Sequence, residues 1–348
     1  MTASAAISQS LLEWYGRAAR RFPWRLPPGS GEQPDPYRIW LSEVMLQQTT
    51  TAAVIPYFEK FLDAWPTVDA LAAAPEEDVL AAWAGLGYYS RARNLVKAAR
   101  AVAMRGGFPE TEAELKKLRG VGEYIGAAVA AIAFDEPAVV VDANVERVVA
   151  RLFAVEEPLP AARTAIRERT AFITPQKRPG DFAQAMMDLG ATICTPRDPK
   201  CLLCPLTRYC RGLMAGDPGR LPVKAAKKER SERNGTAFWI ERDGEVWLVR
   251  RPPEGMLGGM RALPDDGWSA SRDGDDTPPI GGAWKAGGVV EHVFTHCALT
   301  LSVAIYAGDG WMALEVSEGE WWPVAGIEEA GLPTLYAKAV ERVLGVRG

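Results

Sequence analysis

Four cysteines, Cys194, Cys201, Cys204 and Cys210, fall in one short run, ICTPRDPKCLLCPLTRYC, with the spacing C-x6-C-x2-C-x5-C. Any fold this chain adopts must bring that run back on itself, because four thiols so close in sequence suit closure around a metal better than a disulfide framework. Two centres take four thiolates, a zinc ion and a 4Fe-4S cluster. Zinc sites more often pair two short C-x2-C knuckles, and here a single pair is that tight, so the spacing favours iron and sulfur while leaving zinc open. The fifth cysteine, Cys297, stands far away and reads as a small buried hydrophobe.

A chain of 348 residues has room for two domains, and its charge divides accordingly. Residues 1–233 carry 31 Lys plus Arg against 27 Asp plus Glu, whereas residues 234–348 carry 9 against 17. The net charge of −4 therefore hides a mildly basic first part that permits nucleic-acid binding. Upstream, PEEDVLAAWAGLG, RARNLVKAARAVAMRGG and EAELKKLRGVGEYIGAAVAAIAF space their apolar residues near the helical period. Downstream, FWIERDGEVWLVRR predicts a hairpin around Asp243-Gly244, and VVEHVFTHCALTLSVAIYAG is also β-rich. Between them LPVKAAKKERSERNG reads as an exposed link. The expectation is an all-helical domain over 1–220, a linker over 221–235 and an α+β domain over 236–348. No apolar run is long enough to span a membrane and no leader pattern opens the chain, so the expected setting is the cytoplasm.

Three stretches carry candidate chemistry. In WLSEVMLQQTTT a lone carboxylate, Glu43, sits among Trp40, Leu41, Val44, Met45 and Leu46, where it must either snorkel outward or enter a pocket. In LRGVGEYIGA, Gly120 and Gly122 let the backbone approach a partner and aim the N–H groups of the next helix at it, an arrangement suited to phosphate. Asp142 follows the strand-like run AVVV and precedes NVERVVARLF, as a helix N-cap or as a second functional carboxylate.

Together these stretches resemble the helix-hairpin-helix DNA glycosylases with a terminal iron-sulfur cluster, and within them the MutY-type adenine glycosylases. The resemblance runs from about Trp14 to Arg211 through PWR, YRIWLSEVMLQQTT, GLGYYSRARNL, LRGVGEYIGA, VDANVERV and the cysteine run. It implies Glu43 as the acid that protonates a flipped adenine, and Asp142 as the carboxylate that stabilises the sugar cation or bonds to it transiently, with Tyr124 and Asn144 holding the site. It implies DNA contacts from Trp24, Arg25, Leu46, Gln48, Thr49, Leu86, Tyr88, Gly120, Val121 and Gly122. Gln48 and Thr49 would enter the base stack from one side and Tyr88 from the other. It also implies that Cys194, Cys201, Cys204 and Cys210 hold a 4Fe-4S cluster. Relatives similar to endonuclease III carry, at the place of Tyr124, a lysine that attacks the sugar and leads to strand cleavage; a phenol forms no Schiff base, so a monofunctional enzyme is expected.

The tail resembles the Nudix-like domain that this family uses to recognise 8-oxoguanine. The match lies in RRPPEGMLGGM and in HVFTH, which places Phe294, Thr295 and His296 as further DNA contacts. No Nudix catalytic helix with clustered glutamates is present in the sequence, so pyrophosphate hydrolysis is not expected. The partner implied is double-stranded DNA with adenine opposite 8-oxoguanine or G, bound by a monomer. Four departures stand out: Thr295 for the usual Ser, Ala143 for the usual Gly, a long LPPGSGEQPDP loop, and Arg261-Ala262 for an aromatic-acidic pair. Two other readings are a bifunctional glycosylase and lyase, and a DNA-binding iron-sulfur module without catalysis; Tyr124 weighs against the first, Glu43 and Asp142 against the second.

Overall fold

The computed structural model describes residues 2–225, 230–252, 255–294, 297–308 and 318–346, and internal contacts divide the chain into two compact units, Met1–Ala226 and Lys227–Gly348. The first is helical: α1 Ala3–Ala18, α2 Pro36–Leu46, α3 Thr51–Ala64, α4 Val68–Ala73, α5 Glu76–Ala82, α6 Ser90–Arg105, α7 Glu112–Leu115, α8 Glu123–Phe134, α9 Ala143–Phe153, α10 Arg163–Ile173, α11 Pro179–Thr192 and α12 Arg211–Met214. Local chemistry sets many of the starts. Thr2, Asp35, Thr50, Thr67, Thr111 and Asp142 each occupy an N-cap and accept a backbone N–H two or three residues on. Pro36 at the first position of α2 adds a preset φ, and α6 stops at Gly106, whose φ of 84° is left-handed.

Helix α8 is the axis of this unit. Its sequence, EYIGAAVAAIAF, is buried from Ile125 through Ala133, and the small side chains let α2, α7 and α11 pack closely around it. The closest approach is at Gly180 in α11, where a Cβ would stand 2.6 Å from the carbonyl oxygen of Ala131 and 2.8 Å from Cα of Ile132. Among the described residues the AVVV run before Asp142 forms no strand. Val140 instead buries its side chain in the helical core.

In the second unit the strands are β1 Ser231–Trp239, β2 Glu241–Arg242, β3 Glu245–Arg250, β4 Arg261–Ala262, β5 Trp284–Val293, β6 Cys297–Tyr306 and β7 Glu320–Pro323, followed by α13 Thr334–Val346. One sheet has the order β1-β6-β5, with β1 and β6 parallel; in the other, β2, β4 and β7 all pair with β3. The expected turn is present between β2 and β3, with φ of 52° at Asp243 and 80° at Gly244, the pair of positive values a tight hairpin requires. Along β6, Cys297, Leu299, Leu301 and Val303 alternate inward, so Cys297 is the buried small hydrophobe the sequence suggested. Arg261 pairs with Glu320 at 2.6 Å and lies over the ring of Trp322, which gives the unusual Arg261-Ala262 pair a structural place in β4.

The link between the units is shorter than 221–235. Leu221 is buried and its carbonyl accepts Arg151 Nε at 2.9 Å, while Leu159 N–H donates to the Val223 carbonyl at 2.8 Å. At the other end β1 begins at Ser231, and Gly235 lies against the Trp268 ring, 2.8 Å from where a Cβ would stand. Polar composition hid both anchors.

Replacing Gly180 by Ala should destabilise the helical unit by about 1–3 kcal/mol through overpacking against α8. Urea unfolding of the helical transition tests this, and an unchanged midpoint would contradict the close approach.

Candidate active site

Helices α2, α8 and α11 and the start of α9 line a cavity of about 910 Å³ that contains Glu43, Tyr124, Asp142, Asn144 and Met187. Helix α2 is buried on nearly every side from Tyr37 to Met45, so Glu43 has no wet face toward which to snorkel and is only 5% exposed. Among the described residues its side-chain hydrogen bond comes from the Tyr124 hydroxyl, which donates to Oε2 at 2.7 Å and also lies 3.7 Å from Met187 Sδ. Burial raises the Glu43 pKa to about 7; the Tyr124 hydrogen bond and Arg25 oppose that rise, and Asp142 adds to it. Burial also lifts the Tyr124 hydroxyl well above its ordinary range, helped by the nearby carboxylates, so it remains a donor.

Asp142 occupies a different environment. As N-cap of α9 it accepts the Val145 N–H at 2.7 Å through Oδ1 and Asn144 Nδ2 at 2.8 Å through Oδ2, so each of its oxygens meets a donor. Asn144 is itself oriented: Arg147 Nη2 donates to its Oδ1 at 2.9 Å and to the Gly190 carbonyl at 2.6 Å. Gly190 makes this possible, since a Cβ there would fall 2.6 Å from Cβ of Asn144. Ala143 is the first residue of α9 and its φ is not left-handed, so the methyl that replaces the usual glycine imposes no backbone strain.

A third group was not singled out from the sequence. Asp188, fully buried on α11, accepts Arg20 Nε at 2.7 Å and Arg25 Nη1 at 2.9 Å. Both guanidinium groups lie over the ring of Phe22, 4.9 and 5.0 Å from its centroid, and Phe22 stacks on Trp24. Asp188 thereby fixes Arg25, which lines the same cavity as Glu43 and whose charge lowers the Glu43 pKa. The signal was available, because Asp188 is the one carboxylate in the apolar run FAQAMMDLG, as Glu43 is in WLSEVML.

Of the sequence candidates, Trp24, Arg25, Glu43, Leu46, Gln48, Thr49, Tyr88, Tyr124, Asp142 and Asn144 line this one cavity. Gln48 and Tyr88 sit at its rim with φ of 60° and 49°, and Tyr88 is 63% exposed. Leu86 and Val121 are buried side chains in adjacent turns instead of cavity lining. Gly120 needs its left-handed φ of 80° and packs on Asn94, whereas a Cβ at Gly122 would meet nothing within 4 Å, which leaves the uncapped start of α8 open to an approaching group. The long loop after Arg25 borders a second cavity with the end of α8 and the start of α11.

Cys194, Cys201, Cys204 and Cys210 face a separate small cavity with Arg151 and Ile193. Arg151 Nη1 donates to Cys194 Sγ at 3.4 Å, and the Leu206 N–H donates to Cys204 Sγ at 3.4 Å. Burial pushes the Cys201 and Cys210 thiols up and the Cys204 thiol to about 11, and nearby thiolates push in the same direction. Four ionised thiols would repel one another here unless a cationic centre joined them. In the second unit Phe294 stacks on Trp268 at 5.8 Å and touches His292; Thr295 and His296 lie outside the described residues.

Residues 41–171 match the family of HhH-GPD superfamily base excision DNA repair proteins, and residues 236–342 match the NUDIX domain. The chain is 36% identical to the adenine DNA glycosylase of Homo sapiens over 76% of its own length and 58% of that protein's. It is 40% identical to the adenine DNA glycosylase of Mycolicibacterium smegmatis, over 69% of this chain and 82% of the relative. Another adenine DNA glycosylase, from Buchnera aphidicola subsp. Baizongia pistaciae, is 34% identical over 71% and 70% of the two chains. Among solved structures, a thermostable thymine-DNA glycosylase superposes with a TM-score of 0.55 at 30% identity, covering 61% of this chain and 97% of the other. A non-covalent endonuclease III–DNA complex does so at 0.50 and 24%, covering 62% and 98%, a likeness of fold alone.

Because the folded-state pKa of Glu43 lies above its ordinary 4.5, the protonated form gives stability that is present below pH about 4.5 and lost as pH rises through about 7. Glu43→Gln keeps an acceptor for Tyr124 and carries no charge. It should be more stable than wild type at pH 8, by up to about 3 kcal/mol, with the gain vanishing toward pH 4.5. Melting temperatures of both proteins across that range provide the check; a difference independent of pH would contradict the buried-acid reading.

Proposed function

The chain belongs to the adenine DNA glycosylase family, and from that premise we propose that it hydrolyses the N-glycosidic bond of adenine mispaired in duplex DNA. The observation that carries the proposal is a pair of carboxylates held in contrasting environments in one cavity: Glu43, buried with its pKa near 7, and Asp142, hydrogen-bonded by two donors at the start of α9. Such a pair divides acid work from charge stabilisation. Neither carboxylate could reach its target within a stacked duplex, so the adenine must leave the helix and enter the cavity.

Glycosidic cleavage leaves electrons on the departing purine and positive charge on the sugar. Glu43 donates its proton to adenine N7, the C1′–N9 bond breaks, and its electron pair leaves with a base already neutralised. Asp142 stabilises the cationic sugar or bonds to C1′ until water replaces it. Tyr124 holds Glu43 by its hydroxyl, and Asn144, fixed by Arg147, holds Asp142. A phenol at position 124 supplies no amine for a Schiff base, which supports base removal without strand cleavage.

Cys194, Cys201, Cys204 and Cys210 would hold a 4Fe-4S cluster. Among the described residues no group of three His, Cys, Asp or Glu is placed to hold a single metal ion, yet all four thiols face one cavity. The cluster would fix the shape of the loop, so that Arg197 and Lys200 present cations to phosphates. The Nudix-like unit, with Phe294, Thr295 and His296, would read 8-oxoguanine opposite the adenine; G is the alternative partner base. The protein would act as a monomer in the cytoplasm.

A single-turnover assay on a duplex with one adenine opposite 8-oxoguanine should give cleavage of the adenine strand only after hot alkali. Glu43→Gln and Asp142→Asn should each abolish base release yet keep duplex binding. Cleavage without alkali, or near-normal turnover in either variant, would contradict the mechanism. Anaerobically purified protein should be brown with visible absorption, whereas a colourless protein containing zinc would refute the cluster.

A further inference from the structure

Arg91 is a buried guanidinium, 9% exposed, on the first turn of α6. It donates to five backbone carbonyls on two segments far apart in sequence. Nη1 is shared among Val44 at 3.1 Å, Met45 at 3.1 Å and Gln47 at 2.5 Å, and Nη2 reaches Leu86 at 2.9 Å and Gly87 at 3.2 Å. The first three carbonyls belong to the end of α2, where a helix exposes unsatisfied oxygens and the negative end of its dipole. The other two belong to the turn before α6, in which Gly85, Gly87 and Tyr88 have φ of 99°, 67° and 49°.

Each segment ends in an exposed prong. Gln48 follows the Gln47 carbonyl immediately, and Tyr88 follows the Gly87 carbonyl immediately; both hold left-handed φ that a non-glycine residue adopts only when its surroundings dictate it. The guanidinium plane also lies 5.2 Å from the ring of Trp83, whose Nε1 donates to the same Gly87 carbonyl at 3.0 Å, and 5.6 Å from the ring of Tyr88 itself. We propose that Arg91 is a positioning residue that joins the Gln48 and Tyr88 turns into one rigid two-pronged wedge, so that both enter the base stack together when adenine is extruded. This rests on the adenine glycosylase reading and extends it to a residue outside the set that handles the proton and the sugar cation.

The planar fork matters. Lysine keeps the charge but offers a single nitrogen, which cannot span two loops. Arg91→Lys should slow single-turnover excision of adenine opposite 8-oxoguanine by about tenfold or more, the scale of a broken coupling between neighbouring groups. Excision of adenine opposite an abasic-site analogue, where the base is already poorly held, should change less than about twofold, because unstacking costs least there. Equal slowing on both substrates, or no slowing on either, would overturn the inference while leaving the enzyme reading intact. Wild-type protein unable to excise from either duplex would sink the enzyme reading and this inference with it. Should Arg91→Lys not fold, the coupling remains measurable with Arg91 in place. Gln48→Ala, Tyr88→Ala and the double variant should be non-additive, the double losing less than the product of the two single losses; strict multiplication would refute a shared wedge.

Discussion

The proposed active site depends on one carboxyl group having nowhere to go. Helix α2 is enclosed on nearly every side, so the Glu43 side chain must point into the cavity and take its hydrogen bond from Tyr124 on α8. An ionised carboxylate in that position would be costly, and the balance tips toward the acid near neutral pH. The small-residue sequence of α8 brings α2 and α11 close enough to create the enclosure, which ties a packing choice in the core to the protonation state of a single oxygen.

Asp142 shows the reverse design. It stands at a helix start, where backbone and side-chain donors meet its oxygens, and the frame behind it runs through Asn144 and Arg147 to the carbonyls of Gly190 and Cys194. Arg147 and Arg151 thus link the helices of the active site to the cysteine loop, Arg151 by its bonds to Cys194 Sγ and the Thr195 carbonyl. The cysteine loop and the cavity that holds Glu43 are separate in space yet share an arginine scaffold, with Arg151 buried and Arg147 half-buried.

Much of this was legible in the sequence because the signals are local. The capped start of α9, the Asp243-Gly244 hairpin and the clustering of the four cysteines each depend on residues within one turn or one loop. The separated cavity residues Glu43, Tyr124 and Asp142 were assembled by family resemblance, since spacing alone does not join positions 43 and 142. What stayed hidden is long-range and mediated by arginine. Asp188 meets Arg20 across 168 positions, and Arg91 reaches Val44 across 47, through carbonyls that have no side-chain signature. The linker was overextended for the same reason: Leu221 is anchored by Arg151, and a polar stretch in sequence conceals the strand that begins at Ser231.

In the proposed mechanism Glu43 acts as an acid because burial keeps it protonated. The most direct test is the single-turnover rate of adenine release between pH 5 and pH 9 on a duplex with adenine opposite 8-oxoguanine. The rate should be level at low pH and fall about tenfold per pH unit above pH about 7, as the carboxyl that must donate becomes ionised. A rate that stays constant to pH 9, or that rises through this range, would contradict the account.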